Sequence, residues 1–401
     1  MSRLITLAEA RKHILDALTR LPVETVLLAH ATRRVLAEDI IARHDQPAEN
    51  ISAMDGYAVR LQDCDVGNAI RVIGEARAGD AFDRAIGPGE AVRISTGAWL
   101  PSGADHILIQ EEAECDGDTL VATVAQAANG FIRARGRDFS TGALLLDAGT
   151  RLTPAAIALC AAAGRNKVAV YRRPGVAILT NGDELCEPGE ALRSGALYDS
   201  NGDGLAAQIA VWGGSIGWQG RGGDDAAAMA TVLNQAKGHD LLVIAGGASV
   251  GPHDIVRTAF TAGGGKEIFS RMAVKPGKPA WFGRFGTMPV IGLPGNPASA
   301  FVTAELLVRL AVEHMAGDAV SADLPLQSAL ASKALPANGP RETFARAIVS
   351  DNGKGQRIIA AADDQDSSLL RPLVAANALL HRPAGAAAVA TGEYVRYLAL
   401  G

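Results

Sequence analysis

The stretch from about residue 171 to 315 constrains the fold most, because strand-length apolar runs alternate there with helix-length segments. GVAILT (175–180), DLLVIAGG (240–247) and PVIGL (289–293) read as buried strands. NGDGLAAQIAVWGG (201–214) and ASAFVTAELLVRLAVEHM (298–315) read as helices. Such alternation implies βαβ units on a mostly parallel sheet. Ligands of open α/β sheets bind beyond the carboxyl ends of the strands, and three strand ends here open into glycine-rich loops. The first carries Gly182, Asp183 and Glu184; the second Gly246, Gly247, Ser249, Gly251 and Asp254; the third Pro294, Gly295, Asn296 and Pro297. Glycine lets backbone N–H groups approach a ligand, and the helices that follow add partial positive charge, so the loops read as an anion site. VKPGKP (274–279) adds Lys275 and Lys278, each followed by proline, and lysine binds phosphate as a point charge.

The remaining chain has other textures. Thr6 and Glu9 have capping-box spacing ahead of Ile14, Leu15 and Leu18, so residues 1–42 read as helical. Between Pro47 and Arg135 short β-type runs alternate with turn signals such as GPGE and CDGD, which predicts a strand-dominated module. A helix returns at 151–164, and 316–326 reads as a linker. ETFARAIV, QRIIAA, ALLHRP and EYVRYLAL then suggest a small β-barrel or sandwich. At 401 residues the chain exceeds one ordinary core.

Several function classes find no support. A net charge of -5 without a basic stripe gives nucleic acid no electrostatic footprint. No run reaches the ~20 apolar residues of a membrane span, and no signal peptide is evident, so a soluble, cytoplasmic protein is expected. Walker A, GxGxxG, HExxH and GxSxG patterns are all missing. Cys64, Cys115, Cys160 and Cys186 are widely spaced and read as free thiols. Acidic residues, by contrast, sit beside glycine or in loops: Asp55, Asp138, Glu184, Asp224 and Asp254. Carboxylates facing a phosphate would repel it unless a divalent cation such as Mg²⁺ bridges them.

Seven phrases in fixed order then converge on one family: SAMDGYAVR (52–60), STGAWLPSGAD (95–105), GRDFSTGALLLDAGTRLTPAAIALCAAAG (136–164), DSNGDGLAAQI (199–209), GGASVGPHD (246–254), VKPGKP (274–279) and GLPGNPASA (292–300). Together they make the chain resemble the molybdopterin molybdenumtransferases, the MoeA family, to which the E domain of gephyrin is similar. The resemblance implies four parts of mixed α/β and β class: an elongated helical domain from 1–42 and 136–170, an inserted β domain at 43–135, a molybdopterin-binding-like α/β domain at 171–315, and a C-terminal β-barrel at 320–401. It further implies a homodimer whose active site is shared between subunits, with contacts to the adenylylating enzyme and to molybdoenzyme chaperones.

The implied activity is Mg²⁺-dependent insertion of molybdate into the dithiolene of adenylylated molybdopterin, with release of AMP. Asp55, Asp138, Glu184, Asp224 and Asp254 would then be catalytic, with Glu184, Asp224 and Asp254 holding the metal. Substrate would meet Thr96, Gly182, Asp183, Ser200, Asn201, Gly246, Gly247, Ser249, Gly251, Lys275, Lys278, Pro294, Gly295, Asn296, Pro297 and Arg346. Three positions depart from the family pattern: Asn181 where threonine is usual, Ala245 where a hydroxyl is common, and Asp366 where glycine is common. A scaffold that keeps the fold without turnover and a different nucleotidyl transferase are the competing readings.

Overall fold

The computed structural model describes residues 4–128, 130–223, 226–247 and 255–400. These fall into two compact units, one of residues 1–25, 33–37 and 169–401, the other of 26–32 and 38–168.

In the first unit the chain opens with helix α1 (Leu7–Ala17), whose Thr6–Glu9 capping box is formed as its spacing predicts. Among the described residues the rest of the 1–42 stretch holds no further α-helix, only a 3-10 turn at Leu28–His30: Pro22 follows α1, and the β-branched run at Val23–Leu27 is extended.

The second unit carries a six-stranded sheet of β1 (Gly56–Val59), β2 (Ala69–Ala76), β3 (Glu90–Ile94), β4 (His106–Ile109), β5 (Ala113–Asp116) and β6 (Thr119–Ala122), in the order β4-β1-β3-β2-β6-β5. Two apolar clusters pack against it, one around Ile94 and Ile107 and one around Leu108 and Leu120. Helix α2 (Pro154–Ala162) follows, capped by Thr153 and with Pro154 in its first turn.

Back in the first unit, the α/β sheet consists of β7 (Gly175–Asn181), β8 (Ser215–Gly222), β9 (Leu241–Ala245), β10 (Lys266–Phe269), β11 (Trp281–Phe285) and β12 (Met288–Leu293). Their order is β8-β7-β9-β12-β11-β10. The central strands are apolar throughout because both faces are covered. On β7 and β9, Val176, Ile178, Val243 and Ala245 join one core cluster, while Ala177, Leu179, Leu242 and Ile244 join the other. Helix α3 (Asn201–Val211) packs into the first cluster through Leu205 and Ile209. Helices α4 (Ala226–Gln235) and α5 (Ile255–Ala262) pack into the second through Leu233, Val256 and Phe260.

Four of these strands, β8, β7, β9 and β12, are mutually parallel as expected, but β11 runs antiparallel to both of its neighbours, β12 and β10. The cause is local. Only Gly286 and Thr287 separate β11 from β12, too few for the crossover that a parallel pair requires. From β7 the chain first crosses to β8 on one side and then to β9 on the other, so the ends of β7 and β9 flank the reversal where such sheets take their ligands.

The helix after β12 runs as α6 (Pro297–Thr303), a π-turn at Ala304–Val308, and α7 (Arg309–Met315). Beyond the linker, β13 (Gln327–Ala331), β14 (Glu342–Asp351), β15 (Arg357–Ala361), β16 (Ala378–Arg382) and β17 (Tyr394–Ala399) close into a five-stranded barrel. The ring runs β14-β15-β13-β17-β16 and returns to β14. Val274–Lys275 pairs with the start of β14, so the barrel and the Lys275 loop share a ladder.

A candidate anion-binding site at the strand ends

At the end of β7, the Thr180 hydroxyl donates to Asp199 at 2.6 Å. The other Asp199 oxygen accepts from the backbone N–H groups of Asn201 and Gly202 at 3.0 and 3.1 Å. Asp199 therefore caps α3, and Ser200, the cap position itself, makes no side-chain cap bond. Asn201 is buried; its Nδ2 donates to the Gly295 carbonyl at 2.7 Å, while its Oδ1 has no partner among the described residues. The start of α3 and the third loop are thus joined by a direct bond.

The second loop is pressed between them. Gly246 has φ +95°, its N–H donates to the Leu293 carbonyl at 3.2 Å, and a Cβ on it would lie 2.4 Å from the Asn181 carbonyl oxygen. Only glycine fits such a place. At the other edge, Gly182 leaves room for the Glu184 carboxylate, which a Cβ there would approach to 2.5 Å. Asp183 and Glu184 are exposed, and Gly247 also adopts positive φ. Asp224, Ser249, Gly251 and Asp254 lie outside the described residues.

Beside these loops is a cleft of about 390 Å³ whose lining includes Lys275, Lys278, Pro294, Asn296, Ser299 and Arg346. Both lysines are exposed and neither has an acidic partner among the described residues. The barrel supplies the facing wall. Ser367 accepts from Asn296 Nδ2 at 2.7 Å and, through its carbonyl, from the N–H of Ala298 at 3.0 Å. With Pro297 in the first helical position, these bonds fix the start of α6.

Arg346 is buried, and its guanidinium serves the protein: Nη1 donates to Leu369 O at 2.7 Å, Nη2 to Asp366 O at 2.8 Å, and Nε to Gln365 Oε1 at 3.3 Å. Burial draws its pKa down. Asp366, where the family favours glycine, accepts from both the N–H and hydroxyl of Ser368, which lower its pKa. The loop is thus built without glycine.

A second, polar pocket of about 270 Å³ is lined by Thr180, Asp199, Asp203, Gln219, Arg221 and Glu187. Its charge is mostly acidic, whereas the lysine cleft is basic. Arg193 steadies the loop after β7, donating to the carbonyls of Asp183 and Leu185 at 3.3 and 3.2 Å and to the Cys186 sulfur at 3.3 Å. That contact pulls the Cys186 thiol below its usual pKa. All four cysteines are free.

Asp55, Thr96 and Asp138 stand in the other unit. Asp55 accepts from the Thr96 N–H at 2.6 Å and its hydroxyl at 2.9 Å, and these bonds hold the carboxyl below its ordinary pKa. The folded-state pKa is lowered, so the interaction is present above the ordinary carboxyl pKa and is lost as pH falls through the folded value. Thr96→Val keeps the backbone donor and shape but removes the hydroxyl, so the NMR titration midpoint of Asp55 should move upward. An unmoved midpoint would refute the role given to the hydroxyl. Asp138 is exposed, with its N–H bonded to Gln46 O at 2.9 Å.

Among the described residues no three His, Cys, Asp or Glu side chains gather as a metal site; of the three expected ligands only Glu184 is described. No helix among them is long and apolar enough to cross a membrane. Sequence reasoning missed Asp199, although an aspartate just before a helix start is a capping signal. It also missed Ser367, whose partner lies 71 residues away and leaves no local trace.

Comparison with known proteins matches most of the chain to one family. Residues 5–164 match the model of the MoeA N-terminal region (domain I and II), 177–314 that of a probable molybdopterin binding domain, and 328–400 that of the MoeA C-terminal region (domain IV). A molybdopterin molybdenumtransferase of Haemophilus influenzae is 34% identical, covering 98% of each chain. Molybdopterin molybdenumtransferase 2 of Mycobacterium tuberculosis is 35% identical over 93% of this chain and 94% of its own. The crystal structure of a molybdopterin biosynthesis MoeA protein from Pyrococcus horikoshii OT3 is similar at a TM-score of 0.80, with 28% identity and coverage of 98% and 99%.

Proposed function

The chain belongs to the MoeA family of molybdopterin molybdenumtransferases and acts in molybdenum cofactor biosynthesis, and from that premise we propose that it inserts molybdate into the dithiolene of adenylylated molybdopterin with release of AMP. The observation that carries this reading is the sorting of charge at the strand ends: two exposed lysines without acidic partners in one cleft, beside the Gly295 turn that Asn201 ties to the start of α3. Lys275 and Lys278 hold anionic oxygens of phosphate or molybdate. The N–H groups around Gly182, Gly246, Gly247 and Gly295, with Asp183, Ser200, Asn201, Ser249, Gly251, Pro294, Asn296 and Pro297, shape the seat of the pterin and nucleotide phosphates. Arg346 acts on the anion indirectly, by fixing the loop that carries Ser367.

Carboxylate oxygen donors suit Mg²⁺, and Glu184, Asp224 and Asp254 would hold it; when bound it neutralises charge between carboxylates and phosphoanhydride. These carboxylates also position the water that adds to phosphorus as the P–O bond to AMP breaks. The substrate's own sulfurs take the molybdenum, so no protein cysteine is needed. Asp55, Thr96 and Asp138 complete the site from a second copy in a homodimer, and the enzyme works in the cytoplasm, receiving substrate from the adenylylating enzyme and passing product to molybdoenzyme chaperones.

Purified protein given authentic adenylylated molybdopterin and Mg²⁺ should release AMP only when molybdate is added. Asp254→Ala should slow that release by about a hundredfold or more, the several kcal/mol expected for lost charge neutralisation. AMP release that ignores molybdate, or none from folded dimer, would sink the reading.

A further inference from the structure

The second unit carries an aromatic face that its own core does not use. Ile51–Ser52 is the middle of a small three-stranded patch, with Ile132–Arg133 paired on one side and Trp99 bridged to Ile51 on the other. Side chains alternate between the two faces of such a patch. Ser52, Ala98 and Ile132 turn inward, the last two against the core around Ile94. Trp99, Ile51 and Arg133 therefore share the outer face in one row. The Ser52 N–H donates to Ala98 O at 2.9 Å and the Leu100 N–H to Asn50 O at 2.8 Å, so Trp99 and Ile51 pair where the strands come closest.

Trp99 is 50% exposed and Phe131 42%, whereas Trp212 and Trp281 are buried. Phe131 holds left-handed backbone, φ +53°, which is uncommon for a bulky side chain. Its carbonyl accepts from the Ala53 N–H at 2.7 Å, which fixes that turn. Arg133 is exposed, and its guanidinium makes no hydrogen bond or ion pair among the described residues. Such a face is too small for a stable protein contact. Each aromatic side chain offers at most about 150–250 Å², against about 800 Å² per partner in a standard interface. A flat heteroaromatic ring, by contrast, is matched by one indole. Two strand spacings, about 10 Å, separate Trp99 from the free cation, which suits a ring with an anionic tail.

We propose that Trp99 is the platform on which the pterin ring of the substrate stacks, with Arg133 taking an anionic group of its tail. This deepens the function proposed above and rests on it. Asp55 and Thr96, which that function places at the substrate, adjoin this face: Gly97, next to Thr96, donates its N–H to Ser52 O at 2.9 Å, and Asp55 is bonded to Thr96.

The test uses full-length protein, with a pterin carboxylate, an uncharged methylpterin and AMP as probes and affinities read by calorimetry. Trp99→Ala should weaken both pterins about fivefold to a hundredfold, the range for one stacked heteroaromatic base, and leave AMP unchanged. Trp99→Phe, which keeps a ring, should recover most of the loss, a pattern that a merely structural defect would not give. Arg133→Ala should weaken the pterin carboxylate alone. In molybdate-dependent AMP release, Trp99→Ala should raise KM and leave kcat nearly as it was. Thermal melts check that each variant folds. Unaltered pterin affinity and KM in Trp99→Ala overturns the proposal, and so does a loss confined to AMP. Sedimentation in which Trp99→Ala splits a dimer while pterin affinity holds also overturns it, since the face would then be a protein contact. If wild type still shows molybdate-dependent release, such failures leave the activity standing; if wild type shows none, the function proposed above fails as well.

Discussion

Removing both cleft lysines, Lys275→Ala with Lys278→Ala, is expected to weaken substrate binding by about a hundredfold or more while leaving the unfolding midpoint unchanged. Each charge-assisted hydrogen bond contributes about 1.5–3 kcal/mol, and about 1.4 kcal/mol is a tenfold change in affinity. Two such groups on one ligand therefore reach a hundredfold even if neighbouring effects are less than additive. Stability should survive because both side chains are exposed and take part in no ion pair among the described residues, so truncation leaves no buried partner stranded. Surface substitutions of that kind usually stay within about 0.5 kcal/mol. Lys266→Ala, an exposed lysine on edge strand β10 and not in the cleft lining, is the control and should bind as wild type. Affinity of the double variant within about threefold of wild type would remove the cleft from the reaction.

The central strands and the helix beginnings were legible in the sequence for reasons the structure makes plain. β7, β9 and β12 are buried on both faces and so read as unbroken apolar runs. The Thr6–Glu9 box and Pro154 announce helices by purely local chemistry. The hairpin of β11 and β12 was hidden, because a short apolar run looks the same in parallel and antiparallel company. Site residues divide similarly. Glycine at 246 and the two lysines at 275 and 278 carry their signal in themselves. Arg346 does not: its residue type suggests an anion, yet its donors go to carbonyls that folding brings from 18 to 23 residues further along. Asp55 and Thr96, 41 residues apart, were paired only through the family resemblance, and a direct bond joins them. Long-range contact is what sequence pattern alone omits.

Gly246→Ala should be among the most damaging single changes in the α/β unit, and a matched glycine separates its causes. Gly246 and Gly238 have nearly the same φ, +95° and +93°. Holding an L-residue in left-handed backbone costs about 1–3 kcal/mol at either position. They differ in what surrounds them. A Cβ on Gly238 meets nothing within 4 Å, whereas on Gly246 it lies 2.4 Å from the Asn181 carbonyl oxygen. That oxygen cannot yield cheaply, since Asn181 ends the central strand β7 and pairs in register with Gly222 of β8. Overpacking of this kind adds about 1–3 kcal/mol. Denaturant midpoints should therefore fall modestly for Gly238→Ala and about twice as far for Gly246→Ala, a large share of the roughly 5–15 kcal/mol that holds a domain together. Because Gly246 also touches the first and third loops, its variant should lose anion affinity as well, and Gly238→Ala should keep it. Equal midpoints for the two variants, with anion affinity intact in both, would mean that the three strand-end loops are not packed as one rigid seat.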